Sequence, residues 1–224
     1  MGPLTRMGRQ QSAQTTGRAL AKLVDRLRSR GIQNEKVLEA MTRVPRHHFV
    51  EQALQYSAYD DTALPIGFQQ TISQPYVVAR MIEILLHGRK SLGHTLEVGA
   101  GCGYQAAVLS YLAQEVYALE RIRPLLDKAR ENLRPLRLPN VRLKYTDGNM
   151  GLEEVAPFDT IIVAAAARQL PESLLHQLAY DGRLLIPLET AGGQRLILIE
   201  RHGEKYIQNQ YDAVKFVPLL PGTE

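Results

Sequence analysis

The spacing of apolar residues along the chain changes near residue 95. Before that point it is helical: residues 20–27 place apolar side chains every three or four positions, and Gly31 supplies a stop. A second helix is predicted to begin after Asn34, a good N-cap, and to end at Pro45. A third is predicted over residues 75–86. The first part of the chain is therefore expected to be helical.

From residue 95 onward, short apolar runs alternate with helical patterns. The predicted strands are residues 95–99, 116–120, 141–146, 160–164 and 183–188, and the predicted helices are 104–113, 124–133 and 171–179. Helical crossovers between strands predict a mostly parallel sheet with helices on both faces. Residues 196–200 follow the preceding strand too soon for a crossover, which predicts an antiparallel hairpin, with more strand material at 205–211 and 214–217. The predicted fold is α/β and Rossmann-like.

Three segments are predicted, within one compact domain overall. Residues 1–16 are polar and Gln-rich and are expected to form a disordered basic tail. Residues 17–74 are expected to form an N-terminal helical cap with a substrate loop, because 56–74 is irregular and too long for a simple connector. Residues 75–224 would form the Rossmann-like core.

The composition limits the cellular compartment and the classes of partner that we expect. The chain has 224 residues, of which 45% are hydrophobic, and a single cysteine, which excludes a disulfide framework and fits a reducing compartment. No signal-peptide pattern or transmembrane run is visible, so a cytoplasmic protein without a membrane partner is expected. Residues 1–46 carry ten Lys/Arg against three acids. Without interleaved aromatic residues this charge favours a solvated helix face over a nucleic-acid surface. A monomer is expected.

Glycine occupies every second position of a turn between a strand and a helix. The segment reads Leu-Glu-Val-Gly-Ala-Gly-Cys-Gly-Tyr over residues 96–104. Such a turn exposes backbone N–H groups to a polar ligand. In a dinucleotide fingerprint the third glycine would come one residue later than Gly103. The E-x-G-x-G-x-G spacing resembles that of S-adenosylmethionine-dependent methyltransferases. It predicts S-adenosyl-L-methionine as cofactor, S-adenosyl-L-homocysteine as its product, and Gly99, Gly101 and Gly103 as binding residues.

Three acids stand at or beside predicted strand ends, where ligands of doubly wound sheets lie. Glu120, 17 residues after Gly103, is expected to accept hydrogen bonds from ribose hydroxyls; the alternative is pairing with a neighbouring arginine. Asp147 with Gly148 is expected at the adenine amino group, or else serves turn chemistry alone. Glu97 is expected to orient the methionine end of the cofactor.

The segment Gln-Thr-Ile-Ser-Gln-Pro over residues 70–75 has two interpretations. Ser73 or Gln74 can cap the following helix, with Pro75 in its first turn. Alternatively, the helix N-terminus and the nearby hydroxyls can receive an acceptor carboxylate opposite the methyl donor. The two interpretations are compatible with each other.

Seven segments between about residues 18 and 220 share one family pattern: 44–50, 70–76, 96–109, 116–121, 158–159 with the strand after it, 182–187 and 214–219. In these segments the chain resembles the bacterial-type protein-L-isoaspartate O-methyltransferase family. It implies methylation of the free α-carboxylate of L-isoaspartyl residues in damaged proteins and peptides, which starts repair through a succinimide. It also implies a catalytic role for Ser73 and cofactor contacts by Thr71, Ile72 and Gln74. The chain lacks a tryptophan common near Leu152 and a proline often found within 166–169.

The expected chemistry needs neither a general base nor a metal. A carboxylate of pKa about 3.5–4 is already ionised at pH 7, and the sulfonium activates its own methyl group. The adjacent His47 and His48 lack metal-ligand spacing and are expected to be structural. One alternative is a methyltransferase of RNA or of a small-molecule carboxylate, although residues 164–167 are all alanine where amine methylation needs a polar clamp. The other is a non-catalytic protein that only binds the cofactor.

Overall fold

The computed structural model describes the backbone of residues 4–224 and the side chains of residues 16–224. The helices are α1 Leu4–Ser29, α2 Glu35–Arg43, α3 Pro75–Leu86, α4 Tyr104–Leu109, α5 Arg123–Leu133 and α6 Glu172–His176. The strands are β1 Leu64–Gly67, β2 Gln70–Ile72, β3 His94–Val98, β4 Glu115–Glu120, β5 Val141–Tyr145, β6 Phe158–Val163, β7 Leu178–Thr190, β8 Gly193–His202 and β9 Lys205–Val214. The predicted alternation of strands and helices is confirmed, with shifts at the element ends.

The main sheet has seven strands in the order β5-β4-β3-β6-β7-β8-β9. The first five are parallel and the last two run antiparallel to their neighbours. Strand β3 lies between β4 and β6, and the chain winds to one side of β3 first and then to the other. The carboxyl end of β3 is therefore the topological switch point, where a crevice opens. The predicted mostly parallel Rossmann-like fold with an antiparallel C-terminal hairpin is confirmed.

The antiparallel part is longer than the sequence predicts. Strands β7 and β8 pair from Arg183 with Glu200 to Thr190 with Gly193, and β9 continues the meander as the sheet edge. The two short segments predicted at 205–211 and 214–217 form a single strand as far as Val214. No residue of β9 is buried and residues 205–210 are all exposed, so this edge strand has little apolar alternation by which the sequence could reveal its length.

Helix α1 begins at Leu4, inside the segment 1–16 for which a disordered tail is predicted, and that division of the chain stays a prediction. Residues 1–3 lie outside the described residues. Leu23 and Leu27 anchor the second half of α1 in the core. Helix α2 begins as predicted: the Asn34 side chain accepts hydrogen bonds from the N–H groups of Lys36 and Val37. The boundary between 17–74 and 75–224 stays a prediction, and one hydrophobic cluster contains residues from both segments.

The region 56–74, predicted to be irregular, contains a small antiparallel hairpin formed by β1 and β2. Phe68 and Gln69 make its two-residue turn with φ values of 51° and 57°. Turns of this kind favour Asn-Gly, so Phe-Gln gives no turn signal in the sequence. Ile66 and Ile72 are buried, and their packing fixes the hairpin where local propensity does not. Within the described residues, no helix combines the length and apolar character needed to span a membrane.

Candidate active site

A cavity of ≈ 870 Å³, counted with its open mouth, lies at the carboxyl end of β3. Two of its walls carry most of the predicted site residues. We call residues 97–103 the glycine wall and residues 71–74 the serine wall. Further lining comes from the end of β4, from Gly148, from Ala164 and Ala165 after β6, from the segment 217–220, and from Ile66, Gln70, Val78, Tyr104 and Gln105.

The glycine wall is held by backbone hydrogen bonds. The N–H groups of Gly99 and Ala100 both donate to the Leu119 carbonyl, at 2.9 and 2.8 Å. Gly99, Gly101 and Gly103 have φ values of 90°, 55° and 87°, which side chains rarely allow. Gly99 and Gly101 line the cavity, but Gly103 does not. A Cβ on Gly103 would lie 3.1 Å from Leu133, so this glycine lets α4 pack against α5 rather than facing a ligand.

Glu120 fixes the end of β4 to the glycine wall. Its Oε2 accepts the Gly101 N–H at 2.7 Å, and its Oε1 accepts the Ile122 N–H at 2.9 Å. The side chain is buried and lines the cavity. Neighbouring arginines pair elsewhere, Arg121 with Glu224 and Arg123 with Asp127, so the alternative of a local ion pair at Glu120 is wrong.

Glu97 is a fully buried carboxyl in the cavity wall. Its Oε1 accepts a hydrogen bond from Gln105 Nε2 at 3.0 Å, whereas its Oε2 has no partner among the described residues. Burial raises the pKa of Glu97 to about 8, and the negative charge of Glu120 contributes to the rise. A buried carboxylate oxygen without a hydrogen-bond partner among the described residues suits a cationic hydrogen-bond donor of a ligand.

Asp147 does not line the cavity, although Gly148 beside it does. The Asp147 Oδ1 accepts the Asn149 N–H at 2.8 Å and its Oδ2 accepts the Gly222 N–H at 2.7 Å. Burial alone would raise the pKa of Asp147, but the hydrogen bonds to its charged form outweigh that effect and lower it. In this structure Asp147 serves the turn and anchors the C-terminal segment, while the predicted contact with an adenine amino group stays a prediction.

The C-terminal segment 217–220 covers one side of the cavity, which the sequence analysis missed. Leu219 N–H donates to the Ala166 carbonyl at 2.7 Å, and Ala166 N–H donates to the Val217 carbonyl at 2.8 Å. Arg121 Nε donates to the Gly222 carbonyl at 2.9 Å. The apolar run after β9 was the available signal. Leu152, which stands near the missing tryptophan, is buried in the core and does not line the cavity.

The serine wall separates the cavity from a second opening. Thr71, Ile72 and Ser73 line the cavity. An adjoining groove shares Thr71 and Ser73 with the cavity and also contains Gln74. Gln74 therefore faces the groove and not the cavity. The groove is further lined by residues that include Arg30, Tyr76, Arg80, Lys215 and Phe216. The wall is thus accessible from the cavity on one side and from an open groove on the other.

Neither Ser73 nor Gln74 caps helix α3, contrary to the first interpretation of this segment. Asp61 does so from a distant loop, because its Oδ1 accepts the Tyr76 N–H at 2.9 Å. Asp61 also pairs with Arg30, whose guanidinium stacks on the Tyr76 ring at 3.7 Å. Pro75 has no N–H and Tyr76 gives its own to Asp61. The first turn of α3 therefore offers an incoming carboxylate fewer free N–H groups than the sequence predicts.

Arg46 supports the serine wall from behind, and sequence reasoning gave it no role. Its side chain is fully buried, and its Nη2 donates to the Ser73 carbonyl at 2.7 Å. The guanidinium lies over the face of the Tyr104 ring, 4.7 Å from its centroid. Burial lowers the pKa of Arg46, but a guanidinium stays protonated in proteins.

The remaining candidate side chains are structural. His47 Nδ1 lies 2.6 Å from the Tyr59 hydroxyl, and the His47 ring packs against the ring of His48. Burial raises the pKa of the Cys102 thiol to about 11, which makes it a poor nucleophile. Over the part of the chain that the structure describes, no three His, Cys, Asp or Glu side chains are placed to hold a metal ion.

The fold and the cavity together define a class of protein. A glycine turn at the switch point, an acid at the end of the next strand and an unpartnered carboxylate oxygen suit a ligand with a ribose and an ammonium group. A Cβ on Gly148 would lie 2.3 Å from Val98, so the cavity floor needs glycine for close approach. These features, with the antiparallel end of the sheet, define a Rossmann-like methyltransferase.

Comparison with known proteins identifies the family. The family model for protein-L-isoaspartate(D-aspartate) O-methyltransferase matches residues 18–224, so the chain belongs to this family. It is 69% identical to the protein-L-isoaspartate O-methyltransferase of Aromatoleum aromaticum over 94% of this chain and 96% of that one. It is 67% identical to that of an Azoarcus species, over 97% and 100%. The resemblance inferred from the sequence is confirmed.

Solved structures agree with this assignment. A protein-L-isoaspartate O-methyltransferase matches with a TM-score of 0.79 and 27% identity, over 89% of this chain and 65% of that chain. A Plasmodium falciparum structure described as a putative enzyme of the same kind, in complex with S-adenosyl-L-homocysteine, matches with a TM-score of 0.78 and 28% identity, over 89% and 97%.

Proposed function

We propose that this chain transfers a methyl group from S-adenosyl-L-methionine to the free α-carboxylate of L-isoaspartyl residues in damaged proteins and peptides. The backbone amide nitrogen that follows the isoaspartyl residue then attacks the ester carbonyl and releases methanol, and water can open the resulting succinimide to a normal aspartyl residue. The observation that carries the proposal is the placement of Thr71 and Ser73, which line both the glycine-walled cavity and the open groove. Ala164 and Val217 also line both spaces, but Thr71 and Ser73 alone among these four residues carry hydroxyl groups, so a cofactor on one side and a peptide on the other can meet at a polar wall.

The glycine wall and two acids would hold the cofactor. Glu120 stands at the strand end, where an acid can accept hydrogen bonds from ribose hydroxyls. Glu97 Oε2 has no hydrogen-bond partner among the described residues and can accept one from the methionine ammonium. Gly99 and Gly101 keep the backbone open to the ligand. When bound, the cofactor supplies a methyl group activated by its own sulfonium charge. The residues of the chain have to supply position and the exclusion of water.

The serine wall would place the acceptor. The acceptor carboxylate is ionised at neutral pH, so no side chain has to remove a proton from it. Thr71 and Ser73 carry the hydroxyl groups of this wall, and the backbone of Ser73 is held by the hydrogen bond from Arg46 to its carbonyl just before helix α3 begins. We assign Ser73 to orienting one carboxylate oxygen so that the other faces the methyl group.

The test uses matched peptides. The purified protein, incubated with methyl-labelled cofactor, is expected to form base-labile methyl esters on an isoaspartyl peptide and none on the aspartyl peptide of the same sequence. Equal labelling of both peptides, or of neither, would contradict the proposal. Labelling of a free dicarboxylic acid or of RNA in parallel samples, with the isoaspartyl peptide unlabelled, would favour the alternative methyltransferase.

We also propose that the protein acts as a monomer in the cytoplasm, without nucleic-acid or membrane partners. The single cysteine is a buried free thiol, as suits a reducing compartment. Light scattering across a concentration series should give one mass, that of a single chain. A larger mass that includes all of the activity would exclude the monomer.

A further inference from the structure

Arg46 is a buried cation that the described residues do not neutralise. Its side chain is fully buried, and two of its three nitrogens, Nε and Nη1, have no hydrogen-bond partner there. Nη2 alone is bonded, to the carbonyls of Ser73 at 2.7 Å and Thr62 at 3.5 Å. A buried guanidinium normally has a carboxylate partner, because taking an unpaired charge out of water is costly.

The carboxylate near Arg46 is already engaged by other groups. Asp61, the one carboxylate that contributes attraction to Arg46, pairs with Arg30 and accepts the Tyr76 N–H. Contacts with the Tyr104 ring compensate part of the charge. A positive charge therefore remains in a region of low dielectric constant, where its field reaches further than in water.

This charge lies directly behind the acceptor side of the site. Ser73, whose carbonyl it holds, and Tyr104, whose ring it covers, both line the cavity. An anion that enters beside the serine wall is thus attracted by Arg46 without touching it. A neutral group of the same shape is not.

We propose that Arg46 is a positioning residue that makes this site selective for a carboxylate acceptor, through its buried charge and its hold on the Ser73 backbone. The inference rests on the proposed function, because the acceptor is the group that it selects. The competing explanation is that Arg46 only holds the serine wall in place. A purely structural role would affect all acceptor-side ligands equally, whereas a charge distinguishes a carboxylate from an amide.

The experiment compares two peptides that differ in one group. The first contains isoaspartate and the second isoasparagine, in which a neutral amide replaces the acceptor carboxylate. Their affinities are measured by titration into protein saturated with S-adenosyl-L-homocysteine. We expect the wild-type protein to bind the isoaspartyl peptide at least about tenfold more tightly, as an ionic contribution across a protein interior allows.

Two variants then separate charge from shape. Arg46→Met removes the charge and is expected to reduce the preference for the carboxylate peptide to less than about twofold, with the affinity for S-adenosyl-L-homocysteine within twofold of wild type. Arg46→Lys keeps the charge but loses the planar bond to Ser73. It is expected to retain the preference while kcat falls.

The results that would overturn this inference differ from those that would contradict the proposed function. An Arg46→Met variant that retains the full preference would overturn the inference. So would a wild-type protein that methylates the isoaspartyl peptide but binds both peptides equally, a result that needs no folded variant. A wild-type protein that methylates neither peptide would instead contradict the proposed function itself.

Discussion

The two walls of the cavity are built in different ways. The glycine wall comes from one continuous stretch, residues 97–103, and its geometry follows from a strand that turns into a helix. The serine wall, residues 71–74, comes from a short hairpin whose position depends on Arg46 and Asp61, which lie 27 and 15 residues away from their bonding partners in the chain.

This difference in construction corresponds to two tasks, binding the cofactor and placing the acceptor. The glycine wall presents a backbone cradle whose hydrogen bonds run to the neighbouring strand β4. The serine wall instead depends on a buried arginine and on an aspartate that caps α3 from a loop. Side chains from other segments, Arg46 and Asp61, thus hold the acceptor side, whereas the cofactor side is held mainly by hydrogen bonds of its own backbone to the adjacent parallel strand β4.

The largest effect is expected from a substitution that disrupts the glycine wall. Glu120→Ala removes the acceptor for both the Gly101 and Ile122 N–H groups and the predicted ribose contact. Each hydrogen bond to a charged group contributes about 1.5–3 kcal/mol, so we expect affinity for S-adenosyl-L-homocysteine to fall about 100-fold. Calorimetric titration measures it. Glu115→Ala, at the other end of β4, is the matched control and should bind normally; unchanged affinity in Glu120→Ala would refute the ribose contact.

A smaller effect is expected from the serine wall. Ser73→Ala removes one hydroxyl donor next to the acceptor, so kcat should fall about 30-fold, as the loss of a hydrogen bond to a charged group implies. The affinity for S-adenosyl-L-homocysteine should change less than about twofold. Ser29→Ala, on the exposed end of α1, serves as the control. A large loss of cofactor affinity with unchanged turnover per bound enzyme would reverse the roles of the two walls.

The smallest effect concerns the proton on Glu97. With a pKa of about 8 this carboxyl is protonated at pH 7, and pairing with the cofactor ammonium requires it to ionise. Binding of S-adenosyl-L-homocysteine at pH 7 should therefore release about one proton. The affinity at pH 7 should be about tenfold lower than at a pH where Glu97 is already ionised. Titrations in buffers of different ionisation enthalpy measure the release. Glu97→Gln should release none, and equal release by both proteins would exclude the contact.

The same carboxyl affects stability with a defined sign. The folded protein holds the Glu97 proton up to about pH 8, whereas the unfolded chain loses it near pH 4.5, so the unfolding free energy contributed by Glu97 falls as pH rises between these values. Glu97→Gln should remove that slope. Denaturant unfolding of both proteins at pH 5 and pH 7 gives the comparison.

Much of the fold could be predicted because its signals are local. Apolar runs separated by helical patterns gave the parallel strands, and the short interval before residue 196 gave the hairpin. The hairpin β1–β2 could not be predicted, because Phe68 and Gln69 adopt positive φ only under tertiary packing. The disordered tail was predicted from polar composition, which does not exclude a helix continuous with an anchored one, as α1 is.

For this protein the sequence by itself determined the glycine turn, the acids at the strand ends and the family, because those features depend on residue types at short spacing. The tertiary structure alone decided that Asp147 bonds the C-terminal segment, that Gly103 packs helices, and that Arg46 stands uncompensated behind Ser73. The physical reason is that hydrogen-bond partners and unpaired charges depend on which distant segments meet, and spacing along the chain does not specify that.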